Sequence, residues 1–249
     1  MEAKLIQAGE AAIDEARHHK VEAEAFLINR KELSLEVAEE RLENLKRSQE
    51  MGIGIRVIAE GRMGFAYSSD LSKQAIRSTV EDALRISRFT AVDYHHILPG
   101  RQEYQAPEAC DARIAETALE DKVDLALTLE RIARGVDQRI PIVERAGYED
   151  VIFSNIIMNT NGLMASASAS FCGLFISLVA QEEQDVQSGY AMMVKKKWAD
   201  LDPDQVGREA AEDALRSLGA VPIPSERLPC IMEPRVVVRF LALIAQTVG

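Results

Sequence analysis

A glycine set between two apolar runs constrains this chain more than any other feature. Ile53, Ile55, Val57 and Ile58 precede Glu60-Gly61-Arg62, and Met63, Phe65, Ala66 and Tyr67 follow it. Gly61 supplies the positive φ of a tight turn without a Cβ clash, so residues 53–67 read as an antiparallel β-hairpin. A second hairpin signal stands at Asn159-Thr160-Asn161-Gly162, because Asn-Gly tolerates the left-handed conformation of a tight turn. Residues 142–197 read as strands, with a further turn at Ser188-Gly189. Within them, residues 163–180 set Ala165, Ala167 and Ala169 against Ser166, Ser168 and Ser170, which suits a long strand packed closely on one face.

Two more strands are expected upstream. Residues 21–30 are apolar with alternation, and Leu33, Leu35 and Val37 alternate with Glu32, Ser34 and Glu36. Residues 41–50 are polar and read as an exposed strand. Helical spacing marks the rest. Leu5, Ala8, Ala12 and Ala16 share one face of an N-terminal helix. Ser69 or Asp70 caps a helix running to about Arg88, with Leu71, Ala75, Ile76, Val80, Ala83 and Leu84 inward. Residues 90–110, with Pro99, Gly100 and Pro107, read as a long loop. A helix over 117–134 turns Leu119, Val123, Ala126, Leu129 and Ala133 inward and stops at Gly135. Asp202 caps another with Pro203 in its first turn; Val206, Ala210, Ala214 and Leu218 form its stripe, and Gly219 ends it. Pro222, Pro224 and Pro229 mark a linker, residues 230–232 a short strand, and a nearly all-apolar helix starts near Pro234.

The expected fold is therefore α/β (α+β-like): a mainly antiparallel sheet with helices packed on one face. Residues 1–224 read as one α/β region, and residues 225–249 as the start of a C-terminal domain cut short at Gly249.

The formal net charge of −11 disfavours polyphosphate, and Lys195-Lys196-Lys197 is too short a basic run to reverse that. Direct nucleic-acid binding is not expected. The richest apolar stretch, residues 171–180, is too short to span a membrane, and the charged first turns do not resemble a secretory leader. Cys110, Cys172 and Cys230 are odd in number and widely spaced, the pattern of reduced thiols in a cytoplasmic protein.

Catalytic chemistry is harder to place. The four histidines come as His18-His19 and His95-His96. Helical neighbours point about 100° apart, so His18 and His19 do not grip one ion together. Asp14 and His18 stand one turn apart and read as solvated, while His95 and His96 fall in the loop. Gly52-Ile53-Gly54 lacks the third glycine and the following helix of a dinucleotide site. Ser166, Ser168 and Ser170 line a strand with no histidine near in sequence, and Cys172 reads as a buried, inert thiol. Glu182, Glu183 and Asp185 read as a solvated strand end. No catalytic, cofactor-binding or metal-binding residue is assigned.

Gly52-Ile53-Gly54-Ile55-Arg56-Val57, then Gly61-Arg62-Met63-Gly64-Phe65-Ala66, then Ser68-Ser69-Asp70-Leu71-Ser72 resemble the N-terminal signature of the TldD/PmbA family. Asn159-Thr160-Asn161-Gly162 and residues 199–214 resemble its middle section, and the order of elements agrees along essentially the whole chain. The resemblance implies part of an intracellular peptidase of two related subunits, TldD-like and PmbA-like (also called TldE). It also implies a His-Glu-x-x-x-His zinc helix, in TldD-like members, soon after the linker. The matching place here, residues 232–245, holds Arg239, Phe240 and Leu241 and no histidine, as in the PmbA-like branch. The expectation is a zinc-less subunit, not catalytic alone, with zinc in a TldD-like partner, an unfolded peptide as substrate and dimerisation with that partner or itself. The alternative is a non-catalytic peptide-binding or self-assembling module. The family's association with modulation of DNA gyrase implies an indirect, proteolytic route.

Overall fold

The alternation of apolar residues carries through into six strands. They are β1 (Glu22–Ala38), β2 (Arg41–Ala59), β3 (Arg62–Ser68), β4 (Ile142–Asn159), β5 (Met164–Glu182) and β6 (Asp185–Lys195). All pair antiparallel in one sheet of order β3-β2-β1-β4-β5-β6. The computed structural model describes residues 2–104 and 109–248; the 105–108 part of the expected 90–110 loop, Pro107 included, lies outside them.

Residues 21–30 and 33–37 form the single strand β1 instead of two. The alternation keeps its phase across residues 28–32, so Ala23, Ala25 and Leu27 are buried on the same face as Leu33, Leu35 and Val37. The polar half of β2 is an exposed strand, as expected. Both tight turns of the β1-β2-β3 meander take positive φ at two residues, Glu39 and Glu40 (50° and 57°), then Glu60 and Gly61 (52° and 72°). That geometry matches the right-handed twist of the flanking strands.

The turn expected at Ser188-Gly189 is absent. β5 and β6 instead reverse after Glu182, where Glu183 takes φ 53°, and Gly189 pairs with Leu178 inside β6. Glycine serves another purpose there: a Cβ on Gly189 would lie 2.0 Å from the Ala210 carbonyl oxygen. It lets helix α5 (Pro203–Ser217) approach the sheet backbone. Gly64 does the same on β3, where a Cβ would stand 1.9 Å from the Ala83 oxygen of α2 (Lys73–Ser87).

All helices up to residue 218 cover one face of the sheet. α1 (Glu2–His18) and α2 bury Leu5, Ala12, Ile76 and Val80 against Leu27, Ile55 and Val57. α3 (Ala112–Glu116), α4 (Leu119–Arg134) and α5 bury Ile114, Leu129 and Ala210 against Leu35, Tyr148, Leu174 and Ile176. α3 is too short to leave a periodic signal and was absent from the sequence expectation. α2 starts later than expected: Ser72 caps it, its hydroxyl accepting the Ala75 N–H, while Asp70 accepts the Ser72 N–H at 2.8 Å. Asp202 caps α5 as expected, accepting from the Gln205 N–H at 3.0 Å.

Residues Met1–Leu218 make one compact unit and Gly219–Gly249 a second, described by itself. The second holds α6 (Pro234–Val248), the expected apolar helix. Residues 230–232 are not a strand; a strand needs a neighbour, and this segment pairs with none among the described residues.

Candidate functional site

Buried polar groups are costly unless satisfied, so each identifies a place where the fold has been specified tightly. One such cluster joins α4 to the middle of the sheet. Lys122 Nζ donates to Asp150 Oδ2 at 2.6 Å and to the Ile114 carbonyl at 2.8 Å, with only 7% of either side chain accessible across the ion pair. Tyr148 donates its hydroxyl to the same carboxylate oxygen at 2.9 Å, and the Lys122 ammonium lies 5.4 Å from the Tyr148 ring centre. Burial, then the Asp150 charge, raises the Tyr148 phenol above its ordinary range. Lys122, Asp150 and Tyr148 thus each have a buried partner, which suits a structural lock tying α3 and α4 to β4.

Cys172 pairs with Asp150 across the sheet and is 1% exposed. Burial, reinforced by the Asp150 charge, pushes its thiol up to about 11. A thiol held protonated at neutral pH is a poor nucleophile, in agreement with the inert reading. Ser154 and Ser168 hydrogen-bond one another at 2.8 Å, and Ser170 Oγ accepts the Asp111 N–H at 2.8 Å; these serines bridge backbone elements. Cys110 and Cys230 are exposed and Cys172 is buried. Native protein at pH 8 is expected to titrate two thiols quickly with a colorimetric disulfide reagent and the third only after denaturation. Rapid reaction of Cys172 would contradict its burial.

The histidines divide as follows. His18 is exposed on α1, and His95 and His96 lie in the described part of the loop. His19 has a partner that sequence reading missed: Glu15, one turn earlier, stands 3.2 Å from His19 Nε2. Glu81 of α2 completes a group whose ligand-type atoms lie within 4.8 Å of one another, the one such group of three or more among the described residues. The i,i+4 spacing was legible, but the contribution of α2 was not. The Arg77 guanidinium sits in this cluster, 3.3 Å from both Glu15 and Glu81. Its cation already meets both carboxylates.

The Asn159-Thr160-Asn161-Gly162 turn is a joint. Asn159 Oδ1 accepts the Asn161 and Leu163 N–H groups at 3.0 Å, and its Nδ2 donates to the Pro99 carbonyl at 2.7 Å. It thereby fixes the long loop against the β4-β5 hairpin. The helix-free face of the sheet carries Phe26, Phe153, Phe171 and Met192, with Phe153 and Phe171 stacked at 6.2 Å. A depression of about 470 Å³ on it is lined by Arg30, Glu32, Phe153, Phe171 and Val194 among others. Aromatic surface interleaved with paired charge suits contact with another polypeptide.

Residues 23–87, from β1 to the end of α2, match the PmbA/TldA metallopeptidase domain 1. Residues 112–218, from α3 to the residue capping α5, match the PmbA/TldA metallopeptidase central domain. The chain belongs to the PmbA/TldD family. It is 28% identical over 193 residues to Metalloprotease PmbA of Escherichia coli O157:H7, covering 76% of this chain and 43% of that protein. It is 25% identical over 233 residues to the Metalloprotease PmbA homolog of Haemophilus influenzae, covering 92% and 52%. The chain thus spans about half the length of the curated relatives it matches. Among solved structures, a Thermotoga maritima protein named as a modulator of a DNA gyrase shares the fold at TM-score 0.79 and 24% identity, covering 88% of this chain and 50% of that one. TldE of Thermococcus kodakarensis shares it at TM-score 0.71 and 16% identity, covering 86% and 47%. No helix among the described residues is long and apolar enough to cross a membrane.

PmbA/TldD membership brings in the question of a metal. The described residues fit a catalytic zinc poorly. Such a site needs converging neutral imidazoles or carboxylates with an open position, and the Glu15, His19 and Glu81 cluster has Arg77 against its carboxylates. α6 carries no histidine.

Proposed function

We propose that this PmbA/TldD-family chain is part of the zinc-less, PmbA/TldE-like subunit of a two-subunit metallopeptidase that processes unfolded peptides in the cytoplasm. The observation that carries the reading is family membership combined with residues 232–245, which hold no imidazole. Zinc then belongs to a TldD-like partner, and this chain helps build the surface around it. The aromatic and charged helix-free sheet face supports a role in contact, and the −11 charge disfavours direct work on DNA. Mixing the chain with a TldD-like protein is expected to give co-elution and zinc-dependent peptide cleavage that the chain alone lacks. Absence of association would remove the reading.

A second reading, a non-catalytic peptide-binding or self-assembling module, is favoured by one specific observation: β2 runs well beyond β3 and leaves part of a sheet edge open. Saturable peptide binding or self-association by the lone chain, without zinc and without turnover, is its expected signature.

A further inference from the structure

β3 pairs with β2 only over residues 53–59 of β2. At the other end, Glu36 faces Asn44 while Val37 faces Leu42, so Glu43 is bulged out of the ladder and bends the edge there. Residues 44–52 are therefore the regular stretch of β2 that no described strand covers on this side, and its midpoint is Ser48. Among the described residues no strand lies along it. A flat row of backbone N–H and C=O groups of this kind is a template for another strand.

We propose that this edge pairs, antiparallel, with the same edge of a second copy of the chain about a two-fold axis at Ser48. The proposal deepens the self-assembling reading by naming its surface. Geometry sets the register: an axis at Ser48 uses the open segment from end to end and stops where β3 begins. Charge then agrees with geometry. That register sets Lys46 opposite Glu50 and Leu45 opposite Met51, and symmetry makes each pairing twice.

Within the chain, Lys46 faces Ser34 and Glu50 faces Arg30 on the helix-free face, while Leu45 faces Leu35 on the other. Lys46 and Glu50 are exposed, and the half-exposed Leu45 would gain cover. The neighbouring register that keeps side chains on matching faces has its axis at Arg47; it sets Lys46 against Ser48 and Glu50 against Asn44, so neither charge meets its opposite. An arbitrary extended peptide gains the backbone hydrogen bonds but not the matched pairs, so the second copy is the occupant these residues favour.

Sedimentation over a range of concentrations tests this. The chain is expected to show a concentration-dependent dimer. Lys46→Glu and Glu50→Lys are each expected to weaken it about tenfold by placing like charges opposite. An equimolar mixture of the two variants restores both pairs, because each supplies the charge the other lacks, and so does the double variant Lys46→Glu/Glu50→Lys. A chain that stays monomeric, a dimer that neither variant weakens, or variants that neither mixing nor combination rescues would each overturn the proposal. None of these measurements involves a TldD-like protein or zinc, so failure here leaves the subunit reading to its own test.

Discussion

Gly189→Ala is expected to destabilise the Met1–Leu218 unit by about 3 kcal/mol, lowering its denaturant midpoint without changing its expression as a folded protein at low temperature. The added methyl would lie 2.0 Å from the Ala210 carbonyl oxygen and 3.0 Å from the Ala214 backbone nitrogen. Those atoms belong to the middle of α5 and cannot turn aside as a side-chain tip can. The helix must lift off β6, and with it the burial of Val206, Ala210 and Ala214. Gly100→Ala is the control: a Cβ there meets no atom within 4 Å, and the change is expected to fall within about 0.5 kcal/mol. Equal costs at both positions would show that close approach of α5 does not govern Gly189.

Lys122→Met is expected to cost on the order of 3–5 kcal/mol, because it strands the Asp150 carboxylate in the core with Tyr148 as its remaining side-chain donor. The Ile114 carbonyl loses its buried partner as well. Combining Lys122→Met with Asp150→Leu removes the stranded charge, so the double variant is expected to be more stable than Lys122→Met alone. Chemical denaturation of the four proteins in the cycle gives the coupling directly. Independent, additive costs would mean the pair is not the lock that the 2.6 Å contact indicates.

Much of the architecture could be read from residues alone, because its signals are local. The Glu60-Gly61 turn, the Asn-Gly joint, the Asp202 cap and the α4 and α5 stripes each depend on neighbours within one or two turns of chain. The helices up to residue 218 fall on one face because the buried positions of neighbouring strands point to the same side. The misreadings share a cause: the deciding contact lies far away in sequence. Gly189 looked like a turn because α5, which needs the space, begins fourteen residues later at Pro203. Residues 21–37 looked like two strands because nothing local shows that β2 and β4 pair with their whole length.

The candidate sites follow the same rule. The burial of Cys172 was legible from its apolar strand, whereas the Lys122–Asp150–Tyr148 cluster was not. Its lysine and carboxylate stand twenty-eight positions apart on a helix and a strand. Likewise Glu15 and His19 share a helix face, but Glu81 and Arg77 arrive from α2. Only the fold reveals that an arginine, and not an open coordination position, sits at the junction.

Zinc content and peptide cleavage, measured together on the purified chain with and without a chelator, bear most directly on its role. The expected outcome is less than stoichiometric metal after dialysis and no peptide hydrolysis at any zinc concentration, with cleavage arising only when a TldD-like protein is added. One tightly held zinc per chain, chelator-sensitive hydrolysis by the chain alone, and loss of both in His19→Ala would contradict the assignment of a metal-free subunit.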